Sequence, residues 1–299
     1  MQVKSIKPIT ETFDELIPSP IWELYIKEIK PLPDPYIRVT ELISSPLRRR
    51  LIRENLENIR RRLNTIHYQI LGTIIHSLFE LKEFQEILQD MRFYYQVGDE
   101  GKVLELAKRL VNLKTRKQMT FPFEDFIILG EFDLLEDDII YDFKVTSEFV
   151  VLNQKFDRYE KQLQVYRYMY EKTTGEKVRA LKNVFFLRDF SVTRSKFDSP
   201  LVVVEYEIWD DEKVESYIRE RLQLHKDGNF CSDEDMLLIV KYKVGNKYFS
   251  SEEKAVDYAL KKRAKVEKEF MPLGCMHFCE VSDFCPQWQA LKELMQEKN

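Results

Sequence analysis

In "ILGTIIHSLFELKEF", the apolar residues Leu71, Ile74, Ile75, Leu78 and Leu81 recur three or four apart, the spacing that lines one face of a helix. The pattern is helical from about Glu41 to Gln96, and a further helix is predicted over 99–113. The period then changes. "FIILGEFDLL" and "DIIYDFKV" are β-rich runs either side of an acidic turn at Glu136 to Asp138, which predicts a hairpin. "DRYEKQLQVYRYMYEKT" returns to helix, "VRALKNVFFLRDF" and "PLVVVEYEIWD" predict strands, and a helix follows from about Asp211 to Lys226. Further on, 240–250 predicts a small hairpin turning at Gly245 and Asn246, and "SSEEKAVDYALKKRAKVEKEF" a helix capped by Ser251. Residues 1–40 hold several prolines and read as an irregular arm with one short helix. The order of elements predicts an α/β (α+β) chain, a mixed central sheet flanked by helices. Its expected divisions are an arm over 1–40, a helical region over 41–120, a core over 121–230, and a hairpin-helix and cysteine-rich segment over 231–299.

With 299 residues, 44% of them hydrophobic, the chain can bury a sizeable core. No run of about 18 apolar residues appears, so no membrane span is expected. The first twenty residues lack the apolar stretch of a secretory signal, which makes the cytoplasm the expected location. A net charge of −4 excludes a general polycation that coats nucleic acid. Local charge is less even: Arg48, Arg49, Arg50, Arg53, Arg60, Arg61 and Arg62 form two short clusters, and a nucleic-acid groove needs only such a patch. A solvated helix face, partly offset by Glu54 and Glu57, fits the same run.

The candidate chemistry lies in the predicted hairpin. Strand alternation puts Asp142 and Lys144 on one face, and a turn centred near Asp137 brings Asp133 across from Asp142. Two carboxylates so placed repel unless something positive lies between them. Mg²⁺ or Mn²⁺ suits that position, since both take oxygen ligands and leave water sites for a phosphate and a nucleophile. Lys144 beside them could polarise the attacking water or offset charge building on the phosphate. A surface hairpin with an incidental Asp–Lys pair is the bland alternative, but charge in a strand flanked by "IIY" and Val145 is costly without a purpose. Gly72, His76 and Glu80 are spaced four apart on one predicted helix, where a mid-helix glycine suggests a close approach and His76 could complete a metal site. Gln162 and Tyr166 stand one turn apart on the helix after the hairpin, placed to hold a phosphate or orient the lysine, or else simply to pack.

In order, Gly72/His76, Gly130/Asp133, Asp142/Lys144 and Gln162/Tyr166 resemble the motifs of the PD-(D/E)XK nuclease superfamily, in its RecB-like branch: G-x-x-x-H, G-x-x-D, D-x-K and Q-x-x-x-Y. The resemblance spans about residues 40 to 190. It implies a restriction-endonuclease-like core and a metal-dependent deoxyribonuclease. By the same resemblance His76, Asp133, Asp142 and the main-chain carbonyl of Phe143 bind Mg²⁺ or Mn²⁺, and Lys144 is the catalytic cation. Gln162 and Tyr166 support the DNA and the site, and Arg48, Arg49 and Arg50 position its backbone. Relatives with C-terminal cysteines work from DNA ends, so an exonuclease is expected ahead of an endonuclease. No G-x-x-x-x-G-K-[ST] occurs, so the chain carries no motor of that kind, and either acts alone or borrows a helicase or recombination partner.

The same branch implies a 4Fe–4S cluster on "GCMHFCEVSDFC", which supplies Cys275, Cys279 and Cys285. The sequence departs from that pattern upstream: in "LISSPLRRRL" Ser45 stands where the fourth cysteine is expected, and the remaining cysteine is Cys231. Three readings stay open. Cys231 supplies the fourth ligand from another place; three cysteines with His277 hold zinc, a tight spacing; or the thiols only pack.

Overall fold

The computed structural model describes residues 31–59, 72, 86–87, 89–249 and 251–296. The chain divides into two compact units, Met1–Ile43 with Ile66–Gln223 and Ser44–Thr65 with Leu224–Asn299. The architecture is α+β, with mixed sheets flanked by helices.

The first unit carries two sheets. In one, β1 (Tyr36–Arg38) runs parallel to β3 (Phe126–Glu131), and β2 (Gln118–Phe123) pairs antiparallel on the other edge of β3. At 36–38, strand β1 corrects the reading of an irregular arm, whose residues 1–30 lie outside the described residues: Ile37 is completely buried, and its strand pairs with a β3 segment some ninety residues later, which local pattern does not reveal. The other sheet has the order β4 (Leu134–Glu136), β5 (Ile139–Thr146), β6 (Ala180–Leu187) and β7 (Leu201–Tyr206).

The predicted hairpin therefore has a different first arm from the one the pattern suggests. "FIILGEFDLL" is two strands in two sheets, because Phe132 turns inward between them. Its ring is completely buried and packs against Tyr166 and Tyr170, with centroids 6.2 and 6.0 Å away. The turn itself closes as expected. Asp137 and Asp138 take φ of 49° and 59°, the paired left-handed residues of a tight hairpin turn, which Asp tolerates better than most residues.

Strands β5 and β6 are parallel, so the chain must cross between them, and it does so through the Glu148–Leu152 and Asp157–Thr174 helices. The second of these is buried continuously from Gln162 to Glu171, with both sheets packed against it. Its polar residues hold partners, although Arg167 Nε has none among the described residues. Gln164 donates to the Glu207 carbonyl at 2.6 Å and accepts from the Trp209 N–H at 3.1 Å. Arg167 reaches Glu171 at 3.1 Å and Asp211 at 2.9 Å. An unpaired polar group there would cost about 1–3 kcal/mol.

The second unit holds a further sheet, antiparallel throughout. Strands β8 (Leu238–Val244) and β9 (Lys247–Phe249) form the expected hairpin, with Gly245 at φ 60°. The helix predicted to run on to Phe270 stops at Lys262. Arg263 closes it in the left-handed conformation, and Glu267–Pro272 becomes β10, paired antiparallel along the whole of its length with β8. Long-range pairing overrides the helical propensity of this lysine- and glutamate-rich run. Ser251 takes the extended N-cap backbone but makes no side-chain capping bond. Among the described residues, no helix is long and apolar enough to cross a membrane.

Candidate active site

Register brings the acids together. Leu134 pairs with Tyr141, so Asp133, one residue before β4, comes level with Asp142. Asp133 Oδ2 accepts the backbone N–H of Phe143 at 2.6 Å. Asp142 is buried, with 2% of its surface exposed, and Lys144 Nζ lies 2.5 Å from its Oδ2. A buried carboxylate needs compensation, and the ammonium two residues along the same strand face supplies it. On the other side, Asn183 of β6 donates to the same Oδ2 at 2.9 Å.

The buried helix closes over these groups at Gly130. A Cβ there would lie 3.1 to 3.3 Å from Met169, Tyr166 and Met119, so only glycine lets the helix come this near β3 without displacing a side chain. Gln162 donates to the Tyr166 hydroxyl at 2.8 Å. Burial, reinforced by the negative charge of Asp142, pushes the Tyr166 phenol far above its ordinary value, which keeps it a neutral hydrogen-bond donor.

Asp133, Asp142, Lys144, Gln162 and Tyr166 line one cavity of about 780 Å³. Arg38, Gln118, Thr120 and Glu131 line it too, and sequence reasoning missed them. Glu131 follows Gly130 on β3 and was open to a strand-face argument; Arg38 and Gln118 come from elements whose neighbours only the fold determines. Asn183 also went unremarked, although it is the one amide in the buried row of β6 that includes Leu181, Phe185 and Leu187. His76 lies outside the described residues. Gly72 is described, and among the described residues no atom lies within 4 Å of the place its Cβ would take.

Arg48, Arg49 and Arg50 belong to the second unit, on the Pro46–Glu54 helix. Arg48 is forked onto Glu280, at 3.0 and 2.5 Å. Arg50 covers Gly228 and lies 3.7 Å from Glu54.

All four cysteines are free thiols, and they share one apolar cluster with Leu47, Met236 and Trp288. Gly274 makes that cluster possible: a Cβ would stand 2.6 Å from the Met236 carbonyl oxygen, to which Gly274 donates its N–H at 2.7 Å. That contact docks the loop after Cys231 onto the single π turn Gly274–Phe278. Ser45 caps the Pro46–Glu54 helix and donates its hydroxyl to the Phe230 carbonyl at 3.2 Å, so the residue before Cys231 is held at the very position where the sequence lacks a cysteine. Burial pushes the thiols up, Cys231 to about 11 and Cys275 to about 12, and Cys279 also rises. The Trp288 N–H donates to Cys285 Sγ at 3.4 Å. His277 is exposed. Among the described residues, no three His, Cys, Asp or Glu side chains stand in an arrangement that would hold a metal ion.

No family model matches the chain, and no curated protein matches it. Among solved structures it is similar to a protein of Eubacterium rectale provisionally described as an exonuclease, at 14% identity and a TM-score of 0.31, over 54% of this chain and 68% of that one. It is also similar to a phage related exonuclease from Haemophilus somnus 129PT, at 14% identity and a TM-score of 0.27, over 72% of this chain and 97% of that one.

Proposed function

We propose that this chain is a Mg²⁺- or Mn²⁺-dependent deoxyribonuclease of the PD-(D/E)XK, RecB-like kind, an exonuclease that hydrolyses phosphodiester bonds from DNA ends. The observation that carries this reading is the juxtaposition, in one cavity, of Asp133, the Asp142–Lys144 pair and the Gln162–Tyr166 pair.

The donor set fits a hard divalent cation. Both acids offer oxygen, and Asp142 already holds a cationic partner on Oδ2, which marks where positive charge is stabilised. When bound, the ion would supply charge to a phosphate oxygen and make a nearby water more acidic. Asp133 and Asp142 would hold it, with the Phe143 carbonyl and His76 as the further ligands. Lys144 would turn from Asp142 towards the water or the phosphate, which its flexible stem allows. Tyr166, accepting from Gln162, keeps its own proton to donate towards the substrate. Arg48, Arg49 and Arg50 stay part of the proposal as phosphate contacts, Arg48 after release from Glu280.

Cys231, Cys275, Cys279 and Cys285 are proposed to hold a 4Fe–4S cluster, with zinc as the alternative. The soft thiol set within an apolar shell supports this, and the raised thiols mean that metal binding must release protons. The chain would act in the cytoplasm, in phage or cellular DNA processing, recombination or repair, alone or with a helicase partner.

The test is digestion of linear and covalently closed circular DNA, single- and double-stranded, with Mg²⁺ or Mn²⁺, by the wild type and by Asp142→Ala. Loss of only the linear substrates, with wild type alone, is the expected result. Cutting of circles would make it an endonuclease. Absence of metal-dependent cutting would leave a DNA-binding module or an iron–sulfur subunit that needs its partner.

A further inference from the structure

Asn183 stands directly opposite Asp142 in the parallel pairing of β5 and β6, and it is completely buried. Leu181, Phe185 and Leu187, in the same row of the strand, are apolar and buried, so packing alone gives no reason for an amide between them. Its Nδ2 donates twice to one residue, to the Asp142 carbonyl at 3.0 Å and to Asp142 Oδ2 at 2.9 Å. Its Oδ1 has no hydrogen-bond partner among the described residues. A buried amide that leaves its own acceptor unsatisfied is destabilising beside an apolar residue of the same shape. What it provides is hold on Asp142: together with Lys144, it grips the same carboxylate oxygen from the neighbouring strand.

We propose that Asn183 is a positioning residue for divalent-cation binding, fixing the rotamer of the Asp142 carboxylate towards the cavity and the main chain beside it. Groups that orient a ligand from behind affect metal affinity even though they never touch the metal. The inference rests on the nuclease reading only for the nature of the occupant, a divalent cation.

The experiment is Mn²⁺ binding to the full chain by titration calorimetry, for wild type, Asp142→Ala, Asn183→Leu and Asn183→Ser, with DNA cleavage measured in parallel. Asn183→Leu keeps the volume and removes both hydrogen bonds. It is expected to melt no lower than wild type while binding Mn²⁺ roughly tenfold more weakly. Asn183→Ser, whose shorter side chain cannot span both acceptors, is expected to weaken binding too, and decides the matter if the leucine variant does not fold. Wild-type Mn²⁺ affinity in a folded Asn183 variant overturns the proposal, as does the absence of any Asp142-dependent Mn²⁺ binding. Asp142-dependent binding that weakens in both Asn183 variants, in a protein that cuts no DNA, sinks the nuclease reading and leaves the positioning role standing.

Discussion

Two clusters of reactive side chains among the described residues are assembled by opposite means. In the first unit, Asp133, Asp142, Lys144 and Asn183 meet through strand register: one hairpin turn and one parallel pairing place them, and charge compensates charge. In the second unit, Cys231, Cys275, Cys279 and Cys285 meet through packing, gathered into an apolar cluster by a glycine that admits a backbone carbonyl. A site built on register stands on hydrogen bonds that form with the sheet. A site built on packing stands on a few close contacts between segments distant in sequence. The first should fail when a charge is removed, the second when a volume is added.

The largest expected effect is at the register-built site. Asp142→Ala should lower metal-dependent cleavage on the order of a thousandfold or more, since several kcal/mol of charge stabilisation pass through the metal. Its melting temperature should stay within a few degrees of wild type, because the variant also removes a buried charge that needs compensation. Comparable loss of fold and activity would show that the acid serves the sheet rather than the chemistry.

At the packing-built site, Gly274→Ala puts a methyl group 2.6 Å from the Met236 carbonyl oxygen. A destabilisation of about 2–4 kcal/mol is expected by denaturant titration, together with loss of whatever metal the purified protein carries on its thiols, read by elemental analysis and visible absorbance. A fully stable, fully loaded variant would mean that the cysteines do not depend on that contact.

Closer to the first cluster, Glu171 offers a test by pH. Burial pushes its carboxyl up, but the Val178 N–H, the Lys177 ammonium and Arg167 outweigh burial, and it titrates below its ordinary value of 4.5. A depressed folded value means that its contribution to stability is complete above that ordinary value and lost as the pH falls through the folded one. Melting temperature measured downward from pH 5 should therefore drop less steeply in Glu171→Gln than in wild type. Parallel curves would remove Glu171 from the acid response.

The smallest effect is at the phenol. Tyr166→Phe leaves the packing against Phe132 and Gly130, removes one donor towards the cavity and takes the acceptor from the Gln162 amide, so cleavage should fall about fivefold, the equivalent of one hydrogen bond worth about 1 kcal/mol, with a stability loss of about 1–3 kcal/mol. An unchanged rate would assign Tyr166 to packing alone.

Much of the fold was legible along the chain. The hairpin turn at Asp137 and Asp138, the strand faces carrying Asp142 and Lys144, the helix bearing Gln162 and Tyr166, and the hairpin at Gly245 all follow from local periodicity and turn chemistry. What escaped involves partners remote in sequence. Tyr36–Arg38 gave no strand signal of its own and becomes one by pairing with β3. Glu267–Pro272 reads as helix and becomes strand by pairing with β8. Arg38 and Gln118 reach the cavity for reasons no local window contains.

The sequence by itself determined which groups could do chemistry and which of them share a strand or a helix face, because side-chain direction repeats with a period of two or 3.6 residues and needs no distant partner. Only the tertiary structure decided that Phe132 would split one apolar run between two sheets, that Asn183 would grip Asp142, and that the Phe230 carbonyl beside Cys231 would accept from Ser45. Those outcomes depend on which remote segments come together, and burial, strand pairing and close packing settle that across the whole chain at once.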